Sequence, residues 1–459
     1  MRSGGGRPVV IPLALAIGWI ATRGPLPHAP AIRVRLGPII SSDALTTDHA
    51  EPWLAVDARN PGRAIAASLT DSDGSVVYAT KDAGKTWARA RHDGPAEASF
   101  AGGDPVVVFD SDGNAYFGTI SPFRVWRSRD GGTSWHGPVV VPGRSFDREY
   151  LAVREAKAAP DTLYAVGRTP MTVFGHQIDG GIGVSRSTDS GQTFDFPRLL
   201  LLDPARSIIH TPGSVVITPD GKILISVMAH DAPIRDLSLI ENHVWILRSD
   251  DGGRTFGDPI PAATTVIHGN KGDPVKVAKS LATAGLAMDT AQGSPYRGRL
   301  YLGYLSVEDG RLQVMVAASS DTGRTWTRPV RVNDDGGTAN HSNPVIAANA
   351  GSLVVLWNDR RADPNDLCFR ATVAASIDGG ASFLPNAPLV GVATCPLRGQ
   401  PATSFGDWGF RERYLNGGET QGLAPLSGHA FLAVFVDGTG GTMQLRAATI
   451  EVAGAPARP

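Results

Sequence analysis

The chain has 459 residues, enough for one large repeat domain or two or three ordinary ones. Its formal net charge is −1 and it has no basic run, which excludes the electrostatic footprint of a nucleic-acid binder and leaves no charged tail. Hydrophobic residues make up 42%, so a large core is available, and 54 glycines favour many tight turns and short strands over long helices.

At the N-terminus, Arg2 and Arg7 flank the start of an apolar run over 9–21, VVIPLALAIGWIA. The run is shorter than the roughly 20 residues of a membrane span and suits the core of an export signal. Residues 1–30 therefore read as a signal peptide or, uncleaved, an N-terminal anchor; Ala29-Pro30-Ala31 is the nearest small-x-small site. The expected location is secreted, periplasmic or cell-envelope, with no membrane span in the mature chain unless that segment stays. Nothing in the sequence sets the oligomeric state.

From residue 51 the same text recurs. A short apolar strand such as Pro52–Val56 or Pro105–Phe109 is followed by a turn rich in Asp, Asn and Gly. A second strand such as Ala115–Thr119 follows, then a third that leads into a conserved-looking octapeptide. The octapeptides are Thr80–Trp87 (TKDAGKTW), Ser128–Trp135 (SRDGGTSW), Ser187–Phe194 (STDSGQTF), Ser249–Phe256 (SDDGGRTF), Ser319–Trp326 (SSDTGRTW) and Ser376–Phe383 (SIDGGASF). They recur at roughly 50 to 70 residues, the repeat length of propeller blades. The Asp carboxylate can accept turn N–H groups, the Gly supplies a positive φ, and the Ser/Thr hydroxyls tie two strands. A Pro-containing segment and an outer strand come after each box, giving four short antiparallel strands per unit. Gly84-Lys85-Thr86 mimics the end of a phosphate loop, but Ala79 stands where the leading Gly belongs. No His-Glu-x-x-His, Gly-x-Ser-x-Gly or zinc-type cysteine cluster is present.

Cys368 and Cys395, the two cysteines, fit one disulfide in an exported protein, with two buried thiols as the alternative. A last unit lacks the box: Gln421–Leu426, Ala430–Val436 and Met443–Ile450 read as three strands, and Ala31–Ile40 can supply the fourth. The expected fold is all-β, a β-propeller of seven blades closed by an N-terminal strand, with a six-bladed form as the alternative. Its units lie near 51–100, 101–145, 146–208, 209–276, 277–338, 339–410 and 411–455, the last completed by 31–41, within a single domain over 31–455.

These repeats resemble the bacterial neuraminidase repeat, or Asp-box, superfamily, as do Glu51–Asp57 (EPWLAVD), Trp357–Arg361 (WNDRR) and Glu419–Ala424 (ETQGLA). The likeness runs from Glu51 to about Val452. It implies a sialidase-like protein that binds or hydrolyses extracellular glycans as an exo-glycosidase; a non-catalytic propeller binding glycan, peptide or an envelope partner is the alternative. A sialidase of this superfamily clamps its substrate carboxylate with three arginines and uses a Tyr nucleophile, a Glu that activates it and an Asp acid/base. The family's N-terminal Arg-Ile-Pro is absent; Arg35-Leu36-Gly37-Pro38 is the nearest text. Candidates for the remaining parts are Glu412-Arg413-Tyr414, Asp147-Arg148 and Arg361, which follows Arg360.

Propeller geometry points to further residues. The first strand of each blade lines the axis, so its opening residues meet at the channel mouth. They are Glu51, Asp104, Asp147-Arg148-Glu149-Tyr150, His210, Lys279, His341 with Asn343, and Glu419. Convergent polar groups in a concavity make a candidate ligand site. No cofactor is required, though Glu51, Asp104, Glu149 and Glu419 offer oxygens for a structural Ca²⁺. The long excursions Asp258–Ser280 and Cys395–Arg411 exceed ordinary loops. The second carries Phe405, Trp408 and Phe410, which can stack on sugars or plug the core.

Overall fold

The computed structural model describes residues 1, 29–72, 74–93, 100–120, 122–143, 147–155, 160–173, 176–200, 208–231, 239–268, 284–395, 414 and 416–454. The candidate export signal lies outside the described residues. Those described form seven sheets, six of four strands and one of five, and contain no helix. The sheets are the blades of a seven-bladed β-propeller. Their inner strands are His49–Val56, Val106–Phe109, Asp147–Arg154, Ile208–Ile217, Gly285–Met288, His341–Asn349 and Gly422–Ser427 for blades 1 to 7. Each inner strand packs against those of the two neighbouring blades, and blade 7 packs against blade 1 to close the ring.

Ring closure rests on hydrogen-bonded strand pairing within blade 7. Blade 7 is built from Gly422–Ser427, Ala430–Asp437, Gln444–Ala453 and, outermost, Ala31–Ile39. The last two pair antiparallel from Ala31 opposite Ala453 to Leu36 opposite Ala448. The N-terminal strand thus covers an edge that would otherwise offer unpaired N–H and C=O groups.

The blades' middle strands are apolar on both faces because each face meets another blade. In blade 6, Val354 and Leu356 pack with Phe431, Phe435 and Ile450 of blade 7. The alternate residues Leu353, Val355 and Trp357 pack with Tyr301, Val314 and Val316 of blade 5. A period of two therefore feeds two different cores from one strand.

The Asp boxes close the far ends of the hairpins, opposite the mouth. In blade 1 the third strand, Gly74–Thr80, runs away from the mouth and ends in the box. Asp82 accepts hydrogen bonds from Thr80 Oγ1 (2.8 Å), the Thr86 amide (2.8 Å) and Thr86 Oγ1 (2.7 Å). Trp87 Nε1 donates to the Gly84 carbonyl at 3.1 Å. The Gly84 φ is +83°, and a Cβ there would come within 2.9 Å of Leu432 in blade 7. At Gly132 of the next box a Cβ would stand 2.6 Å from Ile65 of blade 1. Each box is thus also a seat on the preceding blade.

Cys368 and Cys395 form a disulfide spanning 27 residues. It fastens the approach to the third strand of blade 6 to the chain beyond its outer strand, next to the paired Phe369 and Thr394.

Two outcomes test this scaffold. Burial of Asp82 and Asp321 works against ionisation, but hydrogen bonds led by those of Thr86 and Thr325 outweigh it and lower both carboxyls to about 2. Depressed folded values stabilise the protein above the unfolded value of 3.8, and that contribution is lost as pH falls toward 2. Calorimetric melting should show a steep drop in midpoint between about pH 4 and pH 2 and none between pH 7 and 5 from these groups. Replacing both cysteines by Ser should cost about 3 to 4 kcal/mol in denaturant unfolding, the chain-entropy value for such a loop.

Candidate functional site

The first residues of four inner strands converge at the mouth. Glu51 and Trp53 of blade 1, Asp104 leading into blade 2, Arg148, Glu149 and Tyr150 of blade 3, and Glu419 leading into blade 7 line one cavity of about 30 Å³. That is space for a water molecule or two. Below it lies an axial cavity of about 400 Å³, walled by all seven inner strands and sharing Trp53 and Tyr150 with the upper one. The Trp53 and Tyr150 rings meet edge to face at 5.5 Å.

The backbone that presents these groups is strained. Glu51, Asp104, Arg148 and Asn343 have φ of 53°, 48°, 56° and 54°. Left-handed φ costs energy for residues with a Cβ. Three of these four sit at register shifts of their inner strands, between Ala50 and Trp53, Asp147 and Tyr150, and Ser342 and Val345. A bulge re-aims the side chains that follow it. Three of the four precede proline, in Glu51-Pro52-Trp53, Asp104-Pro105-Val106 and Asn343-Pro344-Val345. That recurring tripeptide is a sequence signal for the mouth that periodicity alone passes over.

Glu149 is the electrostatic centre. Neither of its carboxylate oxygens has a hydrogen-bond partner among the described residues. Burial, then the neighbouring Asp104 and Glu51, hold its carboxyl well above the usual carboxylate range, against the pull of Arg148. Arg148 is engaged in an ion pair with Glu419. Burial likewise raises the Tyr150 phenol. A carboxyl of raised proton affinity that shares a cavity with further carboxylates is suited to general acid and base work.

Other predicted positions do different work. Asp147 forms an ion pair with Arg168 on the adjacent strand. Arg361 is held by Asp359 at 2.9 Å, by Asp334, and by Asn386 at 2.7 Å. Arg360 is fully buried and donates to the Asp366 carbonyl. His341 lies buried between Asp335 at 3.5 Å and Asp359 at 3.8 Å. Asn343 donates to the Gly418 carbonyl and its own carbonyl accepts from Gln421, tying blade 6 to blade 7. His210 is buried beside Trp245. Tyr414 packs with Ala50 and Leu69. Glu412, Arg413, Lys279, Phe405, Trp408 and Phe410 lie outside the described residues. Of the candidate clamp arginines described, Arg148 lines the mouth cavity and Arg361 does not. Among the described residues no three His, Cys, Asp or Glu side chains are arranged to hold a metal ion.

No family model matches the chain. A xyloglucanase from a Paenibacillus species is 24% identical over 304 residues, 62% of this chain and 26% of that protein. The chain thus spans about a quarter of the length of this curated relative. Among solved structures, a protein of unknown function from Dyadobacter fermentans matches with a TM-score of 0.46 and 14% identity, over 92% of this chain and 100% of its own. The Trypanosoma rangeli sialidase matches at 0.39 and 13%, over 88% and 55%. A Penicillium chrysogenum α-L-arabinanase matches at 0.43 and 14%, over 76% and 92%.

Glu149 makes a stability prediction. Its folded value lies above its unfolded one, so its contribution is full below about pH 4.5 and is lost as pH rises through the folded value. Glu149→Gln should therefore raise the melting midpoint at pH 8 and change it little at pH 4. Melting curves of both proteins at the two pH values check this.

Proposed function

We propose that the protein is an exported, glycan-active enzyme, a glycosidase whose chemistry takes place at the mouth cavity. One observation carries the reading: carboxylates from four blades share one small cavity, and burial raises the proton affinity of the most enclosed of them. The similarity to a xyloglucanase supports a glycan as the substrate class. The sialidase-type reading draws support from Arg148 and Tyr150 in the same cavity, but Arg361, the other described arginine candidate, is committed to Asp359 and Asp334, and Arg413 lies outside the described residues. A two-carboxylate mechanism is therefore the better fit.

In that mechanism Glu149 donates its proton to the glycosidic oxygen as the bond to the anomeric carbon breaks. Asp104 or Glu51, in the same cavity, takes a proton from the water that adds to that carbon. Arg148 engages Glu419 in an ion pair, which leaves Glu149, Asp104 and Glu51 for the proton transfers. A binding-only propeller is the second reading, favoured by the same Arg148–Glu419 pair, which occupies part of the mouth.

Turnover should be sought on xyloglucan, arabinan and sialoside substrates by reducing-sugar release. Glu149→Gln should lower kcat by roughly 100- to 10,000-fold while leaving the protein folded. Activity should fall on the alkaline side as Glu149 loses its proton. Folded wild-type protein that binds these glycans and cleaves none would sink the hydrolytic reading and leave the binding one.

A further inference from the structure

Blade 4 carries a row of rings at its mouth end. His210 on the inner strand stands opposite Ala229, and Ala229 opposite His243. Two residues along, Val227 stands opposite Trp245. Direct opposition puts all of them on one face of the sheet. That face looks toward blade 3, because Val227 packs there with Tyr150, Val166 and Val184. The His243 and Trp245 rings are parallel within 4°, with centroids 6.3 Å apart. The His210 ring follows at 5.8 Å from Trp245. His210 is buried, Trp245 half-buried, and the His243 side chain 50% exposed. The row therefore runs from solvent inward to the axis.

Blade 3 supplies the facing wall. Its second and third strands pair on from Arg168 and Ile182 to Val173 and His176, past Asp147 at the mouth. Blade 4 also continues beyond the ring row, with Leu239 paired to His268. The Asp147–Arg168 ion pair lies at the mouth end of blade 3. Tyr150 belongs both to the packing between these blades and to the acid cavity. Tyr150 thus joins the packing between the two blades to the acid cavity.

The acid cavity, at about 30 Å³, takes a water molecule or a single oxygen, so a sugar ring must be held outside it. Parallel, partly exposed rings offer a flat apolar surface with polar edges. A pyranose has the complementary form: one C–H face and a rim of hydroxyls, and Glu241 stands beside the rings, 3.8 Å from His243 Nε2. We infer that the cleft between blades 3 and 4 is a glycan subsite, in which a pyranose stacks on His243 and Trp245 while the neighbouring glycosidic bond lies at the acid cavity. The ligand is then a chain of two or more sugars. This inference rests on the glycan-active reading and specifies its substrate.

The test uses the full chain carrying Glu149→Gln, titrated calorimetrically with xyloglucan oligosaccharides of increasing length. Affinity should rise with length. Trp245→Ala and His243→Ala should each abolish that rise and weaken the longer oligosaccharides by roughly tenfold, the scale of an aromatic contact. Trp245→Phe should keep most of it, and Phe196→Ala, at an exposed site beside the outer strand of blade 3, should keep all of it. Length-dependent binding indifferent to Trp245 and His243 overturns the subsite, even where Glu149-dependent cleavage upholds the enzyme. Length-dependent binding lost in Trp245→Ala upholds the subsite, even where wild-type protein cleaves nothing. Absence of any oligosaccharide binding by folded protein overturns both.

Discussion

The fold depends on one repeated contact, the seat of each Asp-box glycine on the blade before it. In the first box that neighbour is Leu432 of blade 7, and in the second it is Ile65 of blade 1. The later boxes continue the series: Gly191 faces Tyr116, Gly253 Tyr164, Gly323 Ile246 and Gly380 Tyr301. A Cβ would press on the neighbouring blade at five of these positions, while at Gly323 it would meet Ile246 at an ordinary 3.6 Å and the positive φ of +81° is what favours glycine. The Asp carboxylate of each box fixes the turn that delivers the glycine. A local network of a few hydrogen bonds thereby sets the spacing between whole sheets. Blade 7 has no box and is secured instead by the Ala31–Ile39 strand, so both chain ends enter the same sheet.

Concentrating this work at one end of the blades leaves the other end free to carry cost. Left-handed φ at Glu51, Asp104 and Arg148, and a buried carboxyl without hydrogen bonds at Glu149, would each weaken a softer scaffold. Here they sit on strands clamped from both sides by apolar cores. The bulges matter for the same reason. They break the period of two locally, so that consecutive residues such as Arg148, Glu149 and Tyr150 all reach one cavity.

The sequence was most legible where the physics is local. An Asp box spans eight residues and its hydrogen bonds reach four residues at most, so the pattern can be read from text. The mouth was legible at one remove. Reading the unit starts selects Glu51, Asp104, Arg148, Glu149, Tyr150 and Glu419, and these meet in the cavity because the ring closes. The same rule also selects His341 and Asn343, which the structure engages with Asp335, Asp359 and Gly418. Position on an inner strand does not say whether a neighbouring blade will claim the side chain. Trp53, Arg168 and Trp245 were passed over for a related reason. An aromatic or arginine inside a strand reads as core or as surface until the register shows what stands opposite.

Register also links the cavity to the cleft beside it. Tyr150 faces blade 4 from the strand that carries Glu149, so the packing that orders the core between blades 3 and 4 also fixes the acid. Arg168 binds Asp147 three residues before Tyr150 and holds the bulge from its other side. A ligand lying in the cleft would therefore press on the same strand that positions the proton donor. Burial gives Glu149 its raised proton affinity, and the surrounding cores keep water from restoring an ordinary one. Reactivity at this mouth is then a consequence of blade packing: loosening the contact between blades 3 and 4 would hydrate Glu149, lower its proton affinity and remove the acid without touching its side chain.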